Sequence, residues 1–357
     1  PEDCVPDAFS GVCVGALRGY REVFDSAMVA LQRSIDFANS PATGPQGFPL
    51  PADWIPSPTS FTATEFVRLV RTYRARIRAN VARTPAERAA ADWQAIINDA
   101  VAGITGDHEI ITSTTAGPGN SWRQQYESFS TWHQMPPFII GMADTSGTYA
   151  AWTAQPLSAR GSGSVSFIMA TPDQRFPQGT TRAAQQSDFA IASCGGAAQL
   201  CRRYFRNRPA GNDQLAGAGW GWSNYDFVRF HSWQLAGDAG SARNGKTLFF
   251  TKAELDLLEA EGQYRLGNYT RVAELVNKTR TRGMEARSSS DTNKVARGGG
   301  LPAISVVPTD QVPGGSAWVP KVPVGPNYNT VACGDMWEAL KYEKRIETAY
   351  THYVPWY

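Results

Sequence analysis

The stretch TKAELDLLEAEGQYRLGNYTRVAELVNKTRTRG, residues 251–283, reads as two helices joined by a tight turn. Thr251 and Glu254 stand three apart, the spacing at which a side-chain oxygen caps free backbone N–H groups at a helix start. Leu255, Leu258 and Tyr264 follow along one face. Leu266-Gly267-Asn268-Tyr269 then breaks the pattern, because Gly and Asn accept the left-handed backbone that ends a helix. Val272, Ala273 and Val276 resume it.

Upstream, the same grammar predicts a second hairpin over residues 62–105. Thr62 and Glu65 form a capping box, followed by Phe66, Leu69, Val70, Tyr73, Ile77 and Val81 in helical phase. Thr84-Pro85-Ala86-Glu87 opens the partner helix with Pro at its first position, and Trp93, Ile96, Ile97, Ala100 and Ile104 supply its apolar face. An earlier helix is predicted over 15–38 (Leu17, Tyr20, Phe24, Ala27, Leu31, Ile35), and a last one from Asp335 to about Tyr350.

A helix, then Gly-Asn-Tyr, then a helix with Ala four residues after the Tyr is a tetratricopeptide-type pattern. The predicted fold is therefore mainly α, a single domain of TPR-like helical hairpins. The scaffold spans 11–105, 246–285 and 334–353. A large insertion, 106–245, rich in Gly, Ser, Thr, Pro and aromatics, faces the ligand, and 286–333 is an irregular connection with repeated Val-Pro steps.

Composition removes several classes. Hydrophobic residues at 42% make the chain globular. A net charge of +2, with both signs interleaved, lacks the basic footprint of a nucleic-acid protein. No apolar run approaches the roughly 18 residues of a membrane span. Cys4 with Cys13 and Cys194 with Cys201 have spacings suited to local disulfides in an oxidising compartment, leaving Cys333 over; buried free thiols are the alternative. Neither the cysteines nor the scattered His108, His133, His231 and His352 match a metal-ligand set, and no cofactor is expected.

Three patterns invite catalytic readings. Gly240-Ser-Ala-Arg-Asn-Gly245-Lys246-Thr247 fits the phosphate-binding P-loop letter for letter. Its context does not fit, since the helix starts only at Thr251, and a flexible loop is expected there. Glu254, Asp256, Glu259 and Glu261 could supply the carboxylate pair of a glycosidase. They sit early in a helix, where negative charge is favoured anyway. No Gly-x-Ser-x-Gly elbow or His-Glu-x-x-His motif occurs, so no catalytic residue is assigned. For ligand binding the sharpest local signal is Gly219-Trp220-Gly221-Trp222-Ser223-Asn224-Tyr225. Trp220, Trp222 and Tyr225 could stack on sugar rings while Asn224 bonds hydroxyls, or the same rings could plug the insertion onto the scaffold.

Thr251–Glu261, Gly267-Asn268-Tyr269 with Ala273, Val276-Asn277 with Arg280, and Gly300-Leu301-Pro302 together resemble the SusD/RagB family. Leu340-x-x-Glu343-Lys344-Arg345-Ile346-Glu347 is similar to that family's "ERR-x-E" helix. Asp173-Gln174-Arg175 is similar to its Asp-Pro-Arg element, with Gln in place of Pro. The matches run in order over 170–350. Cys4 has no lipobox before it, and no Phe-Asp-x-Arg-Arg-type segment follows the last helix, so both ends of the family pattern are expected to lie outside this chain.

The resemblance implies a lipid-anchored protein on the cell-surface side of the outer membrane. Such a protein captures an oligosaccharide or similar nutrient without catalysis and delivers it to a TonB-dependent, SusC-like transporter. It transfers no binding residues. The rival expectation is a TPR-like structural or assembly subunit of a surface complex or filament.

Overall fold

The computed structural model describes residues 4–6, 13–15, 18–40, 62–112, 134–156, 168–188, 203–208, 223–229, 245–286 and 294–349. Within them the protein is mainly α, with five two-stranded antiparallel sheets. Strands β1 (Cys4–Pro6) and β2 (Cys13–Gly15) pair with Cys4 opposite Gly15 and Cys13 opposite Pro6. Cys194 and Cys201 lie outside the described residues. Cys333 is a half-buried free thiol, pushed up by burial.

Helix α1 (Tyr20–Ala38) starts five residues later than its apolar phase predicts, at a Gly19 that supplies no side-chain cap. Helix α2 (Ala63–Asn80) begins at a complete capping box: Thr62 accepts from Glu65 N, and the Glu65 carboxylate accepts from Thr62 N. The single helix expected over 84–105 is two. Helix α3 (Pro85–Ala89) stops after five residues, and Asp92 recaps α4 (Trp93–Val101) by accepting from Ala95 N. An Asp side chain competes with the helical backbone for such bonds. The break lets Arg88 and Trp93 both turn inward, with Trp93 Nε1 donating to the Arg88 carbonyl at 2.9 Å.

Strand β3 (His108–Thr112) leads away from α4, and β6 (Gly245–Phe250) returns beside it, so one ladder closes both ends of the long insertion. Residues 245–250 are thus a strand and not the expected loop. Leu248 and Phe250 are buried while Phe249 is half-exposed, an alternation that suits a β-favouring run. Lys246 and Thr247 pair with Ile111 and Ile110 within this ladder. A P-loop needs those two residues at the start of a helix.

Helix α8 (Lys252–Arg265) is the centre of the molecule; every residue from Glu254 to Gly262 is buried. Leu255 and Leu258 pack with Leu69, Ala79, Trp93 and Ile96 of α2 and α4. On the opposite side Leu257 and Ala260 pack against α9 (Tyr269–Arg280) through Val272 and Val276, and against the last helix, α10 (Met336–Glu347), through Leu340. Gly267, at φ +81°, makes the turn between α8 and α9.

The insertion builds its own core. It contains α5 (Pro137–Ile140), α6 (Thr148–Thr153), α7 (Arg182–Asp188) and the pair β4 (Phe205–Asn207) with β5 (Tyr225–Phe227). Phe176, Phe205, Tyr225 and Trp152 meet Tyr342 and Ile346 there, so α10 belongs to both cores. The connection after α9 holds two hairpins, β7 (Met284–Ala286) with β8 (Lys294–Ala296) and β9 (Lys321–Val324) with β10 (Thr330–Cys333).

Gly262 sets the approach of α8 to α4: a Cβ there would come within 2.7 Å of Ile97 Cγ1. Gly262→Val is expected to destabilise the fold by about 1–3 kcal/mol, although Gly is the poorer helix former. Urea unfolding measures it, and an unchanged or raised midpoint contradicts the close-packing account.

Candidate functional site

The described half of the aromatic loop lies inside the protein. Tyr225 has no exposed surface; its hydroxyl donates to Gln185 Oε1 at 2.7 Å and accepts from Met169 N at 2.9 Å, and burial pushes it up to about 12. Asn224 is also buried, and its carbonyl accepts from Arg208 N. Both serve the insertion core, because the short β5 is covered on both faces. Trp220 and Trp222 lie outside the described residues.

The four α8 carboxylates are held by cations from other elements, which explains their burial better than the helix dipole does. Glu254 takes a two-pronged grip from Arg76 of α2. Asp256 accepts from Lys252 and from Lys278 of α9, and Glu259 from Arg271 of α9. Glu261 accepts from Arg88 (2.6 and 2.8 Å), Arg265 (3.1 Å) and Lys344 of α10 (2.7 Å). Burial raises the Glu261 carboxyl, but Lys344 and Arg88 outweigh it and hold it at about 2, below the ordinary 4.5. The Lys344 ammonium is itself lowered, chiefly by burial, which Glu261 offsets only in part and Arg88 reinforces. A general acid needs the opposite shift.

A cluster of inverse sign sits on the other side of α10. Arg175, with no exposed surface, donates to Asp173 (2.7 and 3.0 Å), Glu343 (2.8 and 2.9 Å) and Glu347 (2.9 Å). Tyr342 donates to Asp173, and Thr279 to Glu343. Burial works against the Arg175 charge, yet Asp173 and Glu343 hold its pKa well above the ordinary value. Glu343 moves up, since burial outweighs Arg175 and Arg280. The two sequence elements similar to family motifs, Asp173–Arg175 and Glu343–Glu347, are thus one buried ion cluster. Gln174 donates its backbone N–H to Gly299, a bond that Pro could not make.

Above this cluster opens a cleft of about 590 Å³. Thr279 and Glu347 form part of its floor, so it stands directly on the Arg175 network. Tyr204, also in the floor, carries the Arg229 guanidinium over its ring at 4.1 Å and donates to Glu347. Arg203, Lys252, Lys278, Arg282 and Arg297 also line it and outnumber the further carboxylates there, Asp107 and Asp256. Of these cations, Arg203 is taken by Asp188 and Arg282 by Glu285, while Lys252 and Lys278 share Asp256. Sequence reasoning missed this cleft, because its cations come from four separate segments without a local motif.

Among the described residues no group of three His, Cys, Asp or Glu is placed to hold a metal ion, and no helix is long and apolar enough to cross a membrane. No protein-family model, curated protein or solved structure matches the chain.

Two outcomes follow from the ion clusters. Arg175→Ala leaves three buried carboxylates short of charge and is expected to cost about 3–5 kcal/mol at neutral pH. The deficit shrinks toward about pH 5 as the Glu343 carboxyl, raised by burial, takes up a proton; denaturant titrations at both pH values check this, and a pH-independent loss contradicts it. Glu261 has a folded-state pKa below its unfolded one, so its contribution is complete above 4.5 and disappears as pH falls toward about 2. That contribution is roughly 3 kcal/mol. Acid unfolding of wild type and Glu261→Gln is expected to show the stability gap between them closing over this window.

Proposed function

We propose that the protein is a non-catalytic capture protein of the SusD/RagB type, with TPR-like hairpins as its frame. On this reading it sits lipid-anchored on the cell-surface side of the outer membrane. It binds an oligosaccharide or similar nutrient and passes it to a TonB-dependent transporter.

One observation carries the reading. The segments on which the family resemblance rests, Asp173–Arg175, α8 with α9, and Glu343–Glu347, converge on a single frame of buried ion pairs. Motif residues of this kind are structural. They hold a ligand-facing region whose residues are free to differ with the ligand. The carboxylates that a hydrolase would need are committed to arginine and lysine partners, and the cleft lies within the roughly 300–1,000 Å³ of ligand sites.

Titration against a panel of neutral and acidic oligosaccharides, with product analysis of each mixture, tests the proposal. Saturable binding with every glycan recovered intact is the expected result. Turnover of any glycan overturns the non-catalytic reading. A stable protein partner from the native source, with no glycan bound, favours the assembly role instead.

A further inference from the structure

We infer that the cleft over the Arg175 cluster binds an extended anionic oligosaccharide, gripped through Arg297 and Arg282 at the base of the β7–β8 hairpin. This rests on the capture reading and names the ligand class within it.

The placement comes from the hairpin. Arg282 precedes β7 and Arg297 follows β8, and Arg297 N donates to the Gly283 carbonyl at 3.0 Å, so both arginines sit at the hairpin base, and both line the cleft. The Gly300 N–H donates to the Arg282 carbonyl and Gly299 N to the Thr279 carbonyl, which ties the hairpin base to the end of α9. The backbone under both arginines is therefore held in place before any ligand arrives.

The donors are unequally used. Arg282 spends Nε and Nη2 on Glu285. Its Nη1 makes no hydrogen bond among the described residues. Arg297 lines the cleft half-buried and has no side-chain ion pair or hydrogen bond among the described residues. Lys252 and Lys278 have one carboxylate between them. A guanidinium that makes no bond among the described residues, with only the Arg282-held Glu285 acting on it electrostatically and further cations lining the same cleft, matches a carboxylate or sulfate in two-pronged geometry.

The described residues of the cleft offer no open ring for stacking. Among the described residues its one aromatic lining residue, Tyr204, is buried, and the Arg229 guanidinium covers its ring. Recognition there is ionic and therefore weakened by salt. A second hollow of about 500 Å³, lined by Gln174, Gln178, Met284 and Lys294, shares Arg203 with the first. Two hollows around one hairpin, joined at a cation and both carrying polar donors, fit a chain of sugars better than a single unit.

Isothermal titration with an oligogalacturonate, a sulfated oligosaccharide and a neutral malto-oligosaccharide of equal length tests this, in wild type, Arg297→Ala and Lys278→Gln. Both substituted side chains are away from the cores, and unchanged melting temperatures verify folding. The expected result is that at least one anionic probe binds about tenfold tighter than the neutral one, weakens with ionic strength, and loses about tenfold in Arg297→Ala. Neutral-probe binding as tight as that of both anionic probes overturns the anionic cleft and leaves the capture reading standing. Anionic binding that is the same in Arg297→Ala and Lys278→Gln as in wild type also overturns the site. Failure of all three probes to bind removes the site and counts against glycan capture itself.

Discussion

Two neighbouring residues of α10, Glu343 and Lys344, reach ion clusters of opposite sign. Glu343 joins two other carboxylates around Arg175, and Lys344 joins two other cations around Glu261. Consecutive helical side chains point about 100° apart. Rotating α10 by one residue would bring a carboxylate toward the site of one sign and an ammonium toward the other. Both charges are buried, so such a misfit has no water to relieve it. The rotation of α10, and with it the seam between the helical frame and the insertion, is therefore specified by charge as well as by the Leu340 and Ile346 contacts.

The same constraint reaches the cleft. Thr279 and Glu347 belong at once to the Arg175 cluster and to the cleft floor. The end of α9 that carries Thr279 also holds the hairpin base with Arg282 and Arg297. A buried network with most of its donors and acceptors matched is stiff. It gives the exposed rim a fixed base, and a fixed base lowers the ordering cost of binding.

Local signals in the sequence were legible where local physics decides. Thr62, Thr84, Asp92, Thr251 and Asp335 each accept from a backbone N–H three residues on, and Gly267 turns the hairpin. Of these, Asp92 went unread, because the apolar phase runs on through it. The Thr-x-x-Glu pattern also hid two uses. Glu65 completes its capping box, while Glu254 gives its carboxylate to Arg76, far away in the sequence. The Asn224–Tyr225 pair was misplaced for a similar reason: polar and aromatic residues beside small ones look the same in a ligand loop and in a covered strand.

By itself, the sequence determined the helix starts, the hairpin turns and the mainly helical class, since caps, Gly turns and apolar periodicity act within a few residues. Only the tertiary structure decided that α8 is buried all round, that its four carboxylates are structural, and that Arg297 stands in a cationic cleft. Those outcomes depend on which charges meet between separate elements, for Arg76 with Glu254 and Arg88 with Glu261 across more than 170 residues, and such pairing carries no sequence spacing of its own.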